Sequence, residues 1–346
     1  MDKIHQNTLS LLKTALFGCL PALDALSADE WEALFEYAKS QSVAAVCFES
    51  VQILPPHQKP PKPLYIQWAL LTEQTAHRFA QQKQAVAEVV NSVAGLKVLI
   101  IKGISNAKNY PVPSHRVSGD IDIFCFDKSH ELDRSMESRG IYVDYTNPRH
   151  SIFNINGFTV ENHKYFLYRR NEEELWLDQF LVGEAEKSCD LSQKSILPGT
   201  PLGNAVFFLK HAECDFVFFR PNIKLRALCD WTMMLANGGL DYQELNKIKA
   251  GKTIDRFADA LTAVSVRWLG LPPSFLDFFP PISEKILNDF IYMALHYQHQ
   301  EELRGTFRGR MQRLWKYLRH FRTYKYIFGR NIIKWYYFEK YNKSES

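Results

Sequence analysis

The sequence predicts an α+β fold in which a small mixed β-sheet is flanked by helical regions on either side along the chain. Three observations predict it. Residues 1–94 carry apolar stripes at helical spacing, residues 95–199 alternate short β-branched runs with one helical segment, and residues 200–346 return to helical patterning. We therefore expect an N-terminal helical region, a central α/β core and a C-terminal helical domain. A chain of 346 residues suits two domains, or one domain with large additions.

In the first part, the segment DEWEALFEYAKSQSVAAVCFESV places Trp31, Leu34, Phe35 and Ala38 on one helical stripe. Asp29, Glu30 and Glu32 supply the negative charge that favours a helix N-terminus. LPPHQKPPKP is a proline-rich break. A long helical pattern follows from Leu64 to about Ala94, without internal Gly or Pro.

The central part opens with Lys97 to Ile101 (KVLII), whose lack of polar alternation fits a strand covered on both faces. A loop with Gly103, Pro111 and Pro113 leads to a second strand, Asp120 to Phe126 (DIDIFCF). Lys128 to Arg139 reads as a helix ended by Gly140. Ile141 to Tyr145, Phe158 to Glu161 and Leu175 to Leu181 read as further strands. In the third part, Asn204 to Cys214, Ile223 to Leu235 and Ile254 to Leu269 are expected helices.

Composition excludes little. Lys and Arg exceed Asp and Glu by four, which argues neither for nor against nucleic acid. The six cysteines are scattered, with no CxxC pair of metal-ligand spacing, and read as buried thiols in a reducing compartment. The first residues lack the apolar run of a signal peptide, and no stretch reaches the roughly 18 apolar residues of a membrane span. A cytoplasmic protein without a membrane span is expected.

The chemistry concentrates on Asp120 and Asp122. In a strand they point to the same side, roughly 6.6 Å apart at Cα, while Ile121 and Ile123 face the core. Two carboxylates on one side of an apolar strand are costly unless compensated, and a hard divalent cation compensates oxygen ligands well. Two solvated aspartates at a strand start would read the same way. An EF-hand loop would not, because Ile121, Ile123 and Phe124 stand where it needs polar residues and glycine.

Upstream, Gly103 follows the KVLII strand and would let the backbone approach a ligand, with the N–H groups near Ile104 to Asn106 facing an anion. Ser105 is either part of that cradle or a helix N-cap. Lys102 and Arg116 bracket the loop with positive charge. Gly103 also reads as an ordinary turn glycine, and Arg116 as a solvated loop arginine.

A strand, a glycine loop, a short helix and a strand carrying Asp120-Ile121-Asp122 resemble the polymerase-β nucleotidyltransferase superfamily. More closely, Lys102-Gly103, Tyr110-Pro111, Arg116 and Asp120-Ile121-Asp122 resemble the family of uncharacterised bacterial nucleotidyltransferases called NTP_transf_5. Glu161-Asn162-His163 matches that family's acid-x-His element, and His211, Arg226 and Asp230 match its helical His, Arg and Asp. The wider superfamily has Gly-Ser or Gly-Gly where this chain has Gly103-Ile104, so its phosphate-binding serine is shifted to Ser105 or missing.

The resemblance implies a polymerase-β-like core and a metal-dependent transfer of a nucleoside monophosphate from an NTP, such as ATP, to an acceptor hydroxyl. It implies Mg²⁺ or Mn²⁺ on Asp120, Asp122 and Glu161, and nucleotide contacts from Lys102, Gly103, Ser105, Arg116, His163, His211, Arg226 and Asp230. The acceptor, whether protein, RNA, sugar or small molecule, is not written in the sequence. Alternatives stay open. Asp178, on the expected strand ELWLDQFL, competes with Glu161 as third acid, His163 is equally a structural histidine, and Arg226 and Asp230 can pair across one helix face. A non-catalytic nucleotide- or partner-binding module, or a nucleotide-sugar transferase, would use related features.

From Leu303 onward the chain is basic and aromatic, with Leu303, Phe307, Met311, Leu314, Leu318 and Phe321 at helical spacing. This tail reads either as packed helix with a solvated basic face or as a docking site for an acidic partner, nucleic acid or anionic membrane.

Overall fold

The computed structural model describes residues 1–190, 194–214, 223–296, 311, 315 and 318–329. Four helices come first: α1 (Lys3–Phe17), α2 (Ala28–Ser40), α3 (Ala44–Ile53) and α4 (Lys62–Asn91). Ser27 and Glu30 close a reciprocal capping box at the start of α2, one residue pair earlier than the acidic run alone suggests. Trp31, Leu34, Phe35 and Ala38 are all buried, as their spacing predicts. Trp68 of α4 is fully buried against Phe35, and its indole N–H donates to the Ala44 carbonyl.

A five-stranded mixed sheet forms the centre. Its strands are β1 (Val98–Ile100), β2 (Ile121–Phe124), β3 (His150–Ile155), β4 (Phe158–His163) and β5 (Ile196–Pro198), in the spatial order β3-β4-β2-β1-β5. β1 runs antiparallel to β2 and parallel to β5; β2 runs parallel to β4, and β3 antiparallel to β4. The four-residue helix α5 (Ile104–Ala107) follows β1, and α6 (Ser129–Ser138) follows β2.

One sheet face carries Val98, Ile100, Ile121, Ile123, Phe153, Ile155 and Val160 against Val86 and Val89 of α4 and Leu132 and Met136 of α6. The opposite face carries Leu99, Ile101 and Phe124 into a larger core shared with the helical regions. β1 is thus buried on both sides, as its unbroken apolar run predicts.

Two expected strands are corrected. Leu175 to Leu181 lies inside helix α7 (Glu172–Asp190). Its buried positions Glu174, Leu177, Asp178 and Leu181 recur at helical spacing, and three glutamates fill its first turn. Ile141 to Tyr145 forms no strand; Asp144 makes a single antiparallel bridge to Ile152. The strands β3 and β5 were not expected.

Helices α8 (Pro201–Cys214), α9 (Leu225–Asn237), α10 (Tyr242–Lys249), α11 (Asp255–Val264), α12 (Glu284–Leu295) and α13 (Phe321–Phe328) complete the described chain. They share one core with α1 to α3. Gln41 Oε1 accepts from the Leu225 N–H, and the Tyr37 hydroxyl donates to the Leu295 carbonyl. Of the basic tail, Leu303, Phe307 and Leu314 lie outside the described residues; Met311, Leu318 and Phe321 are exposed. No helix among the described residues is long and apolar enough to cross a membrane. The cysteines form no disulfide; Cys47, Cys125 and Cys229 are buried, whereas Cys19 is exposed.

Candidate active site

Strand register builds the site. Asp122 of β2 lies directly beside Glu161 of β4, and Phe124 beside His163. Across the β3–β4 hairpin, His163 lies opposite His150. Residues two apart on a strand share a face, so Asp122, Glu161, His163 and His150 gather on the face opposite Ile121 and Ile123. The hairpin that sets this register turns at Asn156 and Gly157, whose φ angles of 51° and 79° give the doubly left-handed turn that suits a two-residue connection.

Asp122 is 2% exposed and compensated from two directions. Lys102 Nζ lies 2.7 Å from its Oδ1 and His163 Nε2 3.2 Å from the same oxygen. Burial alone would push the Asp122 carboxyl up, but the Lys102 charge and the His163 contact outweigh it and hold the carboxyl well below the usual range. Lys102 Nζ also lies 3.2 Å from His211 Nε2 on α8, so the lysine joins the sheet to the helical region.

Asp120 stands at the mouth of the same space. Partial burial, then the negative charges of Glu161 and Asp122, push its carboxyl up, opposed by Lys102 and Arg226. Glu161 is held below the carboxylate range: burial and the Asp122 charge work against this, and the His163 ring and the Lys102 charge prevail. Its Oε2 lies 3.3 Å from His163 Nε2 and 3.8 Å from His150 Nδ1, and has no hydrogen-bond partner. Burial pushes the His150 imidazole down to about 4, against the attraction of Glu161.

The loop between β1 and β2 wraps this cluster. Gly103 has φ 60° and ψ −105°, and a Cβ there would lie 2.6 Å from Ser118 Oγ. Only glycine meets both conditions without strain. Ser105 lies in the first turn of α5, not at its cap; Ser105 Oγ and Ser118 Oγ are buried without partners.

The family model described as an uncharacterised nucleotidyltransferase matches residues 27–270, well over half of the chain. The chain belongs to this nucleotidyltransferase family. No curated protein and no solved structure matches it. The matched region starts at the α2 cap and takes in the whole sheet, α5 to α11 and every residue of the polar cluster. Membership implies an NTP as substrate.

In this nucleotidyltransferase, two residues expected around the nucleotide, Arg116 and Asp230, are paired with each other. Arg116 is 5% exposed, and its guanidinium spans the Asp230 carboxylate, with Nε 3.0 Å from Oδ1 and Nη2 2.6 Å from Oδ2. The Tyr110 hydroxyl donates to the same Oδ1 at 2.7 Å. Arg116 and Asp230 therefore pin the Gly103 loop to α9, and their polar atoms are turned to each other instead of to a ligand. Arg226 is the helical arginine that faces the cluster: it touches the Val117 carbonyl at 3.4 Å and its charge acts on Asp120.

Asp178, the rival third acid, is buried on α7, accepting from the Leu167 N–H at 2.8 Å and pairing with Arg169. Glu161 is the acid beside Asp122. Two contributors escaped the sequence reading: His150 and Ser118. For His150 a signal existed. Counting outward from Asn156-Gly157 pairs Ile155 with Phe158, and the same count sets His150 opposite His163.

Proposed function

We propose that the protein transfers a nucleoside monophosphate from an NTP to an acceptor hydroxyl, at the cluster of Asp120, Asp122 and Glu161. The observation that carries this reading is the register of β2 on β4, which sets Glu161 beside Asp122 next to the Gly103 loop. Family membership supports the reaction class.

The donor set fits divalent cations. Three carboxylates crowd one space, Lys102 is ion-paired with Asp122, and Glu161 Oε2 is buried with no hydrogen bond. Asp120, Asp122 and Glu161 would hold Mg²⁺ or Mn²⁺, which when bound supplies charge neutralisation for the phosphates and for the acceptor oxygen. Lys102 adds a fixed positive charge beside Asp122, and Arg226 a second toward Asp120. Gly103 permits close backbone approach by the triphosphate, and Ser105 and Ser118 offer hydroxyls to it. His163 and His211 orient Asp122 and Lys102. The acceptor oxygen bonds to the α-phosphorus as the bond to the bridging oxygen breaks; pyrophosphate leaves, and the hydroxyl proton passes to Glu161.

The test incubates the purified protein with each labelled NTP and Mg²⁺ or Mn²⁺, following self-labelling and pyrophosphate release. Transition-state charge stabilisation of several kcal/mol corresponds to about 10³-fold in rate. Asp120→Ala combined with Asp122→Ala should lose at least that much. A double variant that binds NTP and releases pyrophosphate like the parent refutes the assignment.

A further inference from the structure

The histidines beside Glu161 carry more than the oxygen-ligand reading uses. One donor atom from each of His150, Glu161 and His163 lies within 4.8 Å of the other two. His150 is 4% exposed and His163 is fully buried. His150 Nδ1 and Glu161 Oε2 are both without a hydrogen-bond partner. His163 Nε2 lies 3.2 Å from Asp122 Oδ1 and 3.3 Å from Glu161 Oε2, with its Nδ1 3.4 Å from the Tyr165 carbonyl.

We propose that His150, Glu161 and His163 form a site for a first-row transition dication of the Zn²⁺, Co²⁺ or Mn²⁺ class. Two imidazoles and one carboxylate are a donor set for such ions, whereas Mg²⁺ prefers oxygen alone. Donor atoms around an ion with bonds of about 2.1 Å sit about 3.4 Å apart in a tetrahedral site. The 3.3 Å and 3.8 Å separations from Glu161 Oε2 are close to that value. The ring of His150 is set by the β3–β4 register, so the site is built into the hairpin and does not depend on the Gly103 loop. Three protein ligands leave positions open for water or a phosphate oxygen. The site shares Glu161 with the carboxylate cluster but does not rest on the nucleotidyl-transfer reading.

The experiment titrates Co²⁺ into the full-length protein after chelator treatment and reads its visible d–d bands. Wild type should give saturable bands that Zn²⁺ bleaches and excess Mg²⁺ leaves in place. His150→Ala, with the milder His150→Gln in case the first misfolds by circular dichroism, should bind Co²⁺ at least about 100-fold more weakly, the upper cost of losing even an outer-sphere partner. Asp120→Asn should keep the bands while losing transfer, which separates the two readings. Absent bands in wild type, displacement by equimolar Mg²⁺, or unchanged Co²⁺ affinity in folded His150→Gln overturns the proposal.

Discussion

Asp230→Ala removes the carboxylate that compensates Arg116. The two side chains are 3% and 6% exposed, their contacts are bidentate, and the Tyr110 hydroxyl shares Oδ1. Removing one partner of such a pair strands a buried charge, at a cost of about 3–5 kcal/mol. The stranded Tyr110 hydroxyl moves the expectation toward the upper end of that range. Urea unfolding followed by tryptophan fluorescence measures the loss. The paired variant Arg116→Met with Asp230→Leu should recover most of it, because it removes the charge instead of exposing it.

The same pair fixes an acid limb. Burial would raise the Asp230 carboxyl, but Arg116 and the Tyr110 hydroxyl hold it below its usual value. Its stabilisation is therefore full above the unfolded value near about 3.9 and is lost as pH falls through the lower folded value. Asp230→Asn should lack that part of the acid profile. A loss below about 1 kcal/mol for Asp230→Ala, the range of exposed pairs, refutes the buried-charge argument. So does a double variant no more stable than the single.

Gly103→Ala should cost about 1–3 kcal/mol of backbone strain plus the contact with Ser118; adding Ser118→Gly should return only the contact part in a thermal melt, since φ stays at 60°. Asp120→Asn should raise the melting temperature in chelator while abolishing transfer, because it removes one of three mutually repelling carboxylates; an unchanged or lower melting temperature contradicts that repulsion. Asp289 accepts from His320 at 2.7 Å and from the Thr323 hydroxyl, tying α12 to α13; Asp289→Ala should cost about 1 kcal/mol, discounted for its 30% exposure, and should speed amide exchange in Phe321–Phe328.

Local periodicity made much of this fold legible. The α2 stripe, the uninterrupted α4 pattern, the apolar β1 run and the Ile-Asp-Ile-Phe run of β2, which begins one residue after Asp120, each report their own environment over a few residues. α7 was misread because exposed Leu175 and Trp176 adjoin buried Leu177 and fill in the gaps of its helical period. Its start was nonetheless marked: Asn171 accepts from the Glu174 N–H ahead of the acidic first turn. The pairing of Arg116 with Asp230 spans 114 residues, and no local pattern encodes it. Arg226, four residues before Asp230 on α9, offered a nearer partner than the one that holds it.

Polar pairs of two kinds now stand side by side. Around Asp230, an arginine and a tyrosine hydroxyl from the same chain occupy both carboxylate oxygens. Around the Gly103 loop and the β3–β4 hairpin, Ser105 Oγ, Ser118 Oγ, His150 Nδ1 and Glu161 Oε2 are buried and unbonded. Each such atom is costly. A neighbouring row of the same sheet face, Leu99 beside Phe124, shows that apolar residues can fill this layer, and replacing buried ionic groups by apolar ones is often neutral or stabilising. The proposed cation would set positive charge toward Glu161 and His150, and the proposed triphosphate would set hydrogen-bonding atoms toward the two serines, giving these open atoms partners that the rest of the chain does not supply.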